Sequence, residues 1–213
     1  TPLIWLSRHV TSVVLRGQEE ERVSDEDLLL MVRLGLRSGD FKPLEARVIR
    51  NVLSLETKTA RDVLTPRTVV FTLKVGTTVR DAVRNHELDR YSRVPVEDKD
   101  PEDVVGIVHR VDILTTAAND EFDVRLEELM RPVHFVVDTT SLDQLLRMFL
   151  ERRQHMVAVI DEFGGFAGIV TLEDVLEELI GREIVDEFDQ VTDLRAFAHR
   201  RRKEILGRHK SWS

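Results

Sequence analysis

The chain has 213 residues, 42% of them hydrophobic, and sets 31 Lys and Arg against 39 Asp and Glu for a formal net charge of −8. That length and apolar content build one moderate or two small globular cores, and the acidic balance argues against a nucleic-acid binder, whose affinity rests on neutralising phosphates. The absence of cysteine excludes a disulfide framework and thiolate metal sites, and there is no apolar run of the ~18–20 residues that cross a bilayer.

Leu3, Leu6, Val10, Val13 and Val14 recur at helical spacing opposite Arg8, Ser12 and Arg16, which predicts an amphipathic helix with Trp5 near its start. The chain opens at Thr1 with no initiator Met and reads as a fragment or processed product. Residues 1–22 are thus a helix and an acidic linker, either packed on the domain surface or leading out of a membrane domain. Ser24 caps the next helix with Asp27 as its reciprocal partner, and Leu28, Leu29, Val32 and Leu36 form its apolar face. Ser38-Gly39-Asp40 stops it, and Pro43 opens a second helix with a Leu44, Val48, Ile49, Val52, Leu53 stripe. Residues 23–57 are therefore expected to be a helical hairpin.

Residues 58–119 then read as an extended entry over 69–73, a Thr78-capped helix, strands over 94–96 and 104–108, and a helix over 111–117. Residues 120–184 repeat that order: an extended segment over 135–137, a Ser141-capped helix to Arg153, strands over 157–160 and 166–170, and a helix from Leu172 to Gly181. Strands alternating with helices give an α/β (α+β) class. Residues 185–213 are read as a C-terminal helix or tail with a basic run, Arg200-Arg-Arg-Lys203, that suits a solvated face or a membrane surface.

The order repeats because the sequence does. Arg93-Val-Pro-Val-Glu-Asp98 stands for Met156-Val-Ala-Val-Ile-Asp161, and Gly106-Ile-Val-His-Arg-Val-Asp112 stands for Gly168-Ile-Val-Thr-Leu-Glu-Asp174. A short sheet with one bare apolar face cannot stand alone, so two copies should pack together. The copies resemble tandem CBS motifs forming a CBS pair (Bateman module), which binds adenine nucleotides between its halves. Arg61-Asp-Val-Leu-Thr-Pro-Arg67, Tyr91-Ser-Arg-Val-Pro-Val96, Arg152-Arg-Gln-His-Met156, Asp161-Glu-Phe-Gly-Gly165 and Leu172-Glu-Asp-Val-Leu-Glu-Glu-Leu-Ile-Gly181, in that order, narrow the resemblance to the CorB/CorC/CNNM (hemolysin-like) magnesium transport proteins.

That resemblance implies a cytosolic nucleotide-sensing regulatory module on the cytoplasmic side of the cell membrane. Its ligand would be ATP, with Mg2+ arriving on the phosphates. Its partners would be a second CBS pair in a homodimer and a membrane domain of the same parent protein. A free-standing AMP or ADP sensor is the alternative within the fold, and a secreted cytolysin, lacking a signal peptide or pore-forming hairpin here, the alternative outside it. Asp174 suits ribose hydroxyls and Thr171 a phosphate, although the same pair also makes an ordinary helix cap. Carried across, the pattern completes the cleft with Thr65, Tyr91, Ser92, Arg93, Val94 and Pro95, Arg93 being the phosphate partner. A second, weaker cleft would hold His109, Asp112, Arg131, Pro132, His155 and Met156, with His109 where the other copy has Thr171. No Walker loop, His-Glu-x-x-His or Gly-x-Ser-x-Gly is present, so no enzyme is expected, and the seven histidines show no metal-ligand spacing. The acids Glu173, Glu177, Glu178, Asp186, Glu187 and Asp189 read as a solvated helix face rather than a cation site.

Overall fold

The computed structural model describes residues 24–100 and 103–181, so the amphipathic start, the acidic linker and the tail from 185 lie outside it. The chain divides into two compact units, Thr1–Arg50 and Asn51–Ser213. In the first, helix α1 (Asp25–Ser38) has the capping box expected of Ser24 and Asp27 and ends at Gly39, whose φ of 86° suits a residue without Cβ. Of the expected apolar face Val32 is buried and Leu29 half-buried, while Leu28 and Leu36 stay exposed. Helix α2 (Pro43–Ser54) follows, its last turn belonging to the second unit.

The second unit contains the duplication. After the short helix α3 (Ala60–Val63) and strand β1 (Thr65–Pro66), the first copy runs β2 (Leu73–Lys74), α4 (Val79–Arg84), a 3-10 turn over His86–Arg90, β3 (Arg93–Glu97), β4 (Val104–His109) and α5 (Arg110–Ala118). The second opens with α6 (Leu126–Leu129) and continues through β5 (Phe135–Val137), α7 (Leu142–Arg152), β6 (Met156–Ile160), β7 (Phe166–Thr171) and α8 (Leu172–Ile180). In each copy a helix joins two parallel strands and a hairpin adds an antiparallel third, giving sheets of order β2-β3-β4 and β1-β7-β6-β5.

The two hairpins match residue for residue. Arg93 opposes His109 and Val96 opposes Gly106, as Met156 opposes Thr171 and Val159 opposes Gly168, and both ladders slip at the following residue. Alternation along each strand sends Val94, Val96 and Val108 to one helix-covered core, and Val157, Val159 and Val170 to the other. The opposite faces meet in a third core of Val104, Ile107, Val133, Met156, Ala158 and Phe166, so the sheets stack face to face.

The lead-in segments are exchanged. Ala60 and Val63 of α3 pack in the second copy's core and β1 pairs with β7, whereas Leu126 of α6 packs in the first copy's core and Arg131 bridges to Ile107 of β4. The extended entry expected over 69–73 is ladder only at Leu73. Residues 69–71 instead turn apolar side chains toward a cavity.

Candidate functional site

The exchange of lead-ins builds a cleft that neither copy holds alone. It has a volume of about 580 Å³, within the roughly 300–1,000 Å³ of small-molecule sites. Thr65 enters it from β1, because β1 lies against β7 at Gly168. A Cβ there would overlap the Thr65 carbonyl oxygen, so glycine is what allows the approach. Val69, Val70 and Phe71 form an apolar wall, with Phe71 stacked on Tyr91 at 5.5 Å between ring centres. Ser92 precedes β3 and Arg93 and Pro95 lie at its start, while Ile169, Thr171, Glu173, Asp174 and Glu177 come from β7 and α8.

Seven of the expected nucleotide contacts, Thr65, Tyr91, Ser92, Arg93, Pro95, Thr171 and Asp174, are thus brought to one cavity. Val94 is not: strand alternation turns it away from Arg93 and Pro95, and it is fully buried in the first copy's core. His155 and Met156, expected in the other cleft, line this one as well. They occupy the positions equivalent to Ser92 and Arg93, and the Leu172 amide donates to the His155 carbonyl as the Arg110 amide donates to that of Ser92. The sequence does not single out Val69, Val70, Phe71, Arg90 or Ile169 for the cleft, and Glu173 and Glu177, expected on a solvated helix face, line it as well. Only the position of 69–71, just beyond Thr65-Pro66-Arg67, pointed toward the cleft.

At the α8 end the Thr171 hydroxyl donates to Asp174 Oδ2 at 2.7 Å, the Thr171 amide donates to the same oxygen at 2.7 Å, and the Asp174 amide returns to Thr171 Oγ1 at 3.3 Å. A hydroxyl has one proton. Thr171 therefore serves either Asp174 or a phosphate, and turning toward a phosphate releases carboxylate capacity for ribose hydroxyls, which donate. Arg93 makes no side-chain hydrogen bond or ion pair among the described residues, whereas Arg90 is held by Glu87 at 3.3 Å. His155 Nδ1 stands 4.0 Å from Glu173.

The equivalent place in the first copy is differently wired. Arg131 stands where the second-copy cleft has Thr65, as its bridge to Ile107 mirrors the Thr65–Ile169 pair, and its Nη2 donates to Asp112 Oδ2 at 2.8 Å. His109 precedes α5 without a side-chain cap bond. Burial first, then the Arg131 and Arg93 guanidiniums, hold its imidazolium below the ordinary range.

The CBS domain family matches residues 60–119 and 126–181, the two copies just described. The chain belongs to that family. A UPF0053 protein of Synechocystis is 34% identical over 206 residues, covering 97% of this chain and 59% of that protein. The CBS domain of a bacterial CNNM/CorC family Mg2+ transporter superposes with a TM-score of 0.72 at 34% identity, over 77% of this chain and 99% of its own. The CBS domain of a bacterial CNNM/CorC family Mg2+ transporter in complex with ATP gives 0.63 at 35% identity, over 66% of this chain and 99% of its own. This CBS pair is of the CNNM/CorC (UPF0053) type. The chain spans 59%, 46% and 39% of the length of three curated relatives it matches. Among the described residues no group of three acids or histidines could hold a metal, and no helix is long and apolar enough to cross a membrane.

Proposed function

We propose that this CBS pair is the nucleotide-sensing regulatory module of a CNNM/CorC-type divalent-cation transporter, with ATP in the cleft between Arg93 and the Thr171–Asp174 cap. The carrying observation is that pairing. A cation without a carboxylate partner among the described residues lines the same cavity as a helix-start acid that can accept from ribose hydroxyls. Val69, Val70 and Phe71 supply the apolar wall an adenine base requires. The acids lining the cleft do not form a metal cluster, so Mg2+ fits as a companion of the phosphates, keeping most of its waters.

In this reading the module sits on the cytoplasmic side of the membrane as a homodimer and signals to a membrane domain of the parent protein. ATP shifts it only by binding one arrangement of the two copies, or of two chains, better than another. Calorimetric titration with ATP, ADP and AMP, with and without Mg2+, tests it. One ATP per chain with Mg2+-enhanced affinity is expected. AMP binding as tightly as ATP would favour an adenylate sensor, and no nucleotide binding at millimolar ligand would overturn the assignment.

A further inference from the structure

Arg93 and His109 are opposed in the β3–β4 ladder, so their side chains stand on the same sheet face with Cβ atoms roughly 5 Å apart. Arg93 lines the cleft, and His109 lies beside it, half-buried, at the seam between the two copies. The charged groups acting on His109 come from four places: Arg93 on β3, Arg131 on the segment after α6, His155 at the start of β6, and Asp112 on α5. Three of these are cationic or become so on protonation. The one carboxylate, Asp112, is already paired with Arg131 at 2.8 Å. His109 is thus an ionisable group in a positive field, next to the position where phosphates would enter.

We infer that nucleotide binding in this CBS pair is proton-linked: polyphosphate charge beside Arg93 and His155 drives protonation of His109, so the module reads pH and nucleotide together. This rests on the nucleotide reading of the cleft. In the chain alone, burial first and then the neighbouring guanidiniums lower the proton affinity of His109. Polyphosphate, which stays net negative even with Mg2+ bound, opposes the positive field of Arg93 and Arg131, and partial burial keeps that effect from being fully screened. By linkage, a ligand that raises the proton affinity of His109 is itself bound more tightly at lower pH.

The sign is opposite for stability of the free protein. A histidine whose folded-state proton affinity is depressed stabilises the fold above its ordinary value of 6.5, and that contribution is lost as pH falls through the folded value. ATP should offset that acid sensitivity.

The experiment follows the histidine ring protons of the full chain by NMR from pH 5 to 8, alone and with adenosine, AMP or ATP, His109 being assigned through His109→Gln. Alone, His109 is expected to titrate below 6.5. With ATP its midpoint should rise by about 0.5 or more, a roughly threefold gain in proton affinity, by less with AMP, and not at all with adenosine. Calorimetry should show ATP affinity falling by roughly 1.5- to 2.5-fold between pH 6 and 8 for a shift of that size in the native chain, and not in His109→Gln. The terminal phosphate of ATP gains charge over that range, which favours binding at high pH and cannot imitate the trend. ATP shifting cleft resonances while His109 stays unmoved, or a rise confined to His155, would overturn the inference and leave the nucleotide site intact. No response in the cleft to millimolar ATP would remove the site and the linkage together.

Discussion

Gly168→Ala is the substitution that best separates the architecture of the cleft from mere stability. A methyl group there overlaps the Thr65 carbonyl oxygen and stands 2.9 Å from Leu64 Cδ1 and 3.0 Å from the Thr65 carbonyl carbon. Comfortable carbon contacts are about 3.5–4.0 Å, and the offending atoms are mostly backbone, so β1 must retreat by roughly an ångström. Retreat loosens the Thr65–Ile169 pair and the bond from the Arg67 amide to the Ala167 carbonyl at 2.9 Å, and draws Thr65 out of the cleft wall. Overpacking of this kind costs about 1–3 kcal/mol, a fall in Tm of roughly 3–10 °C for a domain of this size. Losing a ligand contact of about 1 kcal/mol should weaken ATP five- to tenfold. Gly106→Ala is the matched control: its methyl meets the flexible Met130 side chain and, at 2.8 Å, the Arg131 carbonyl oxygen, at the cleft that holds the Arg131–Asp112 ion pair. Both variants should melt earlier, and only Gly168→Ala should lose affinity in calorimetry. Equal affinity losses, or a Gly168→Ala protein with native Tm and Kd, would refute the reasoning.

Asp174→Asn keeps the shape of the α8 cap but removes the charged acceptor, and should weaken ATP about ten- to hundredfold by calorimetry, whereas Asp112→Asn should leave it within about twofold. Asp138→Ala removes a buried carboxylate that takes Arg61 Nε at 2.6 Å and Nη2 at 2.5 Å, and chemical denaturation should show a loss near the lower end of about 1.5–3 kcal/mol, since Arg61 is largely exposed and rehydrates. Val111 and Leu114 are 63% and 43% exposed on α5, where a second CBS pair would cover them. Val111→Glu with Leu114→Glu should halve the mass seen by light scattering at micromolar concentration; a native chain already monomeric would remove the dimer proposal.

The duplication was legible because equivalent residues recur at a fixed order, and the paired ladders, with Arg93 over Met156 and His109 over Thr171, follow that order. Val94 lies in the first copy's core and not in the cleft lining, as alternation along β3 dictates. Placing Arg93 and Pro95 on one strand face already sends Val94 to the other. The exchanged lead-ins were not legible. Ala60 and Val63 are apolar in a helix of one turn, which carries no information about which sheet receives them, and β1 is two residues of ladder fixed by contacts more than a hundred positions away. Residues 69–71 mislead for a related reason: a short β-branched and aromatic run fits a strand and a cavity wall equally well.

These two kinds of residue have different consequences for the paired clefts. Duplication gives the two clefts matched hairpins, so side chains at matched positions bear directly on how the clefts differ. Arg131 in place of Thr65, and His109 in place of Thr171, are such side chains. The first ties up Asp112, the counterpart of the acid offered to ribose. The second puts an ionisable ring beside the cation of the other cleft. On the proposed reading, an acid held by a guanidinium makes the first copy's cleft the weaker nucleotide site, and its histidine bears on the neighbouring one. If the proposed linkage holds, divergence of one half of this CBS pair tunes the electrostatics of the nucleotide cleft formed with the other.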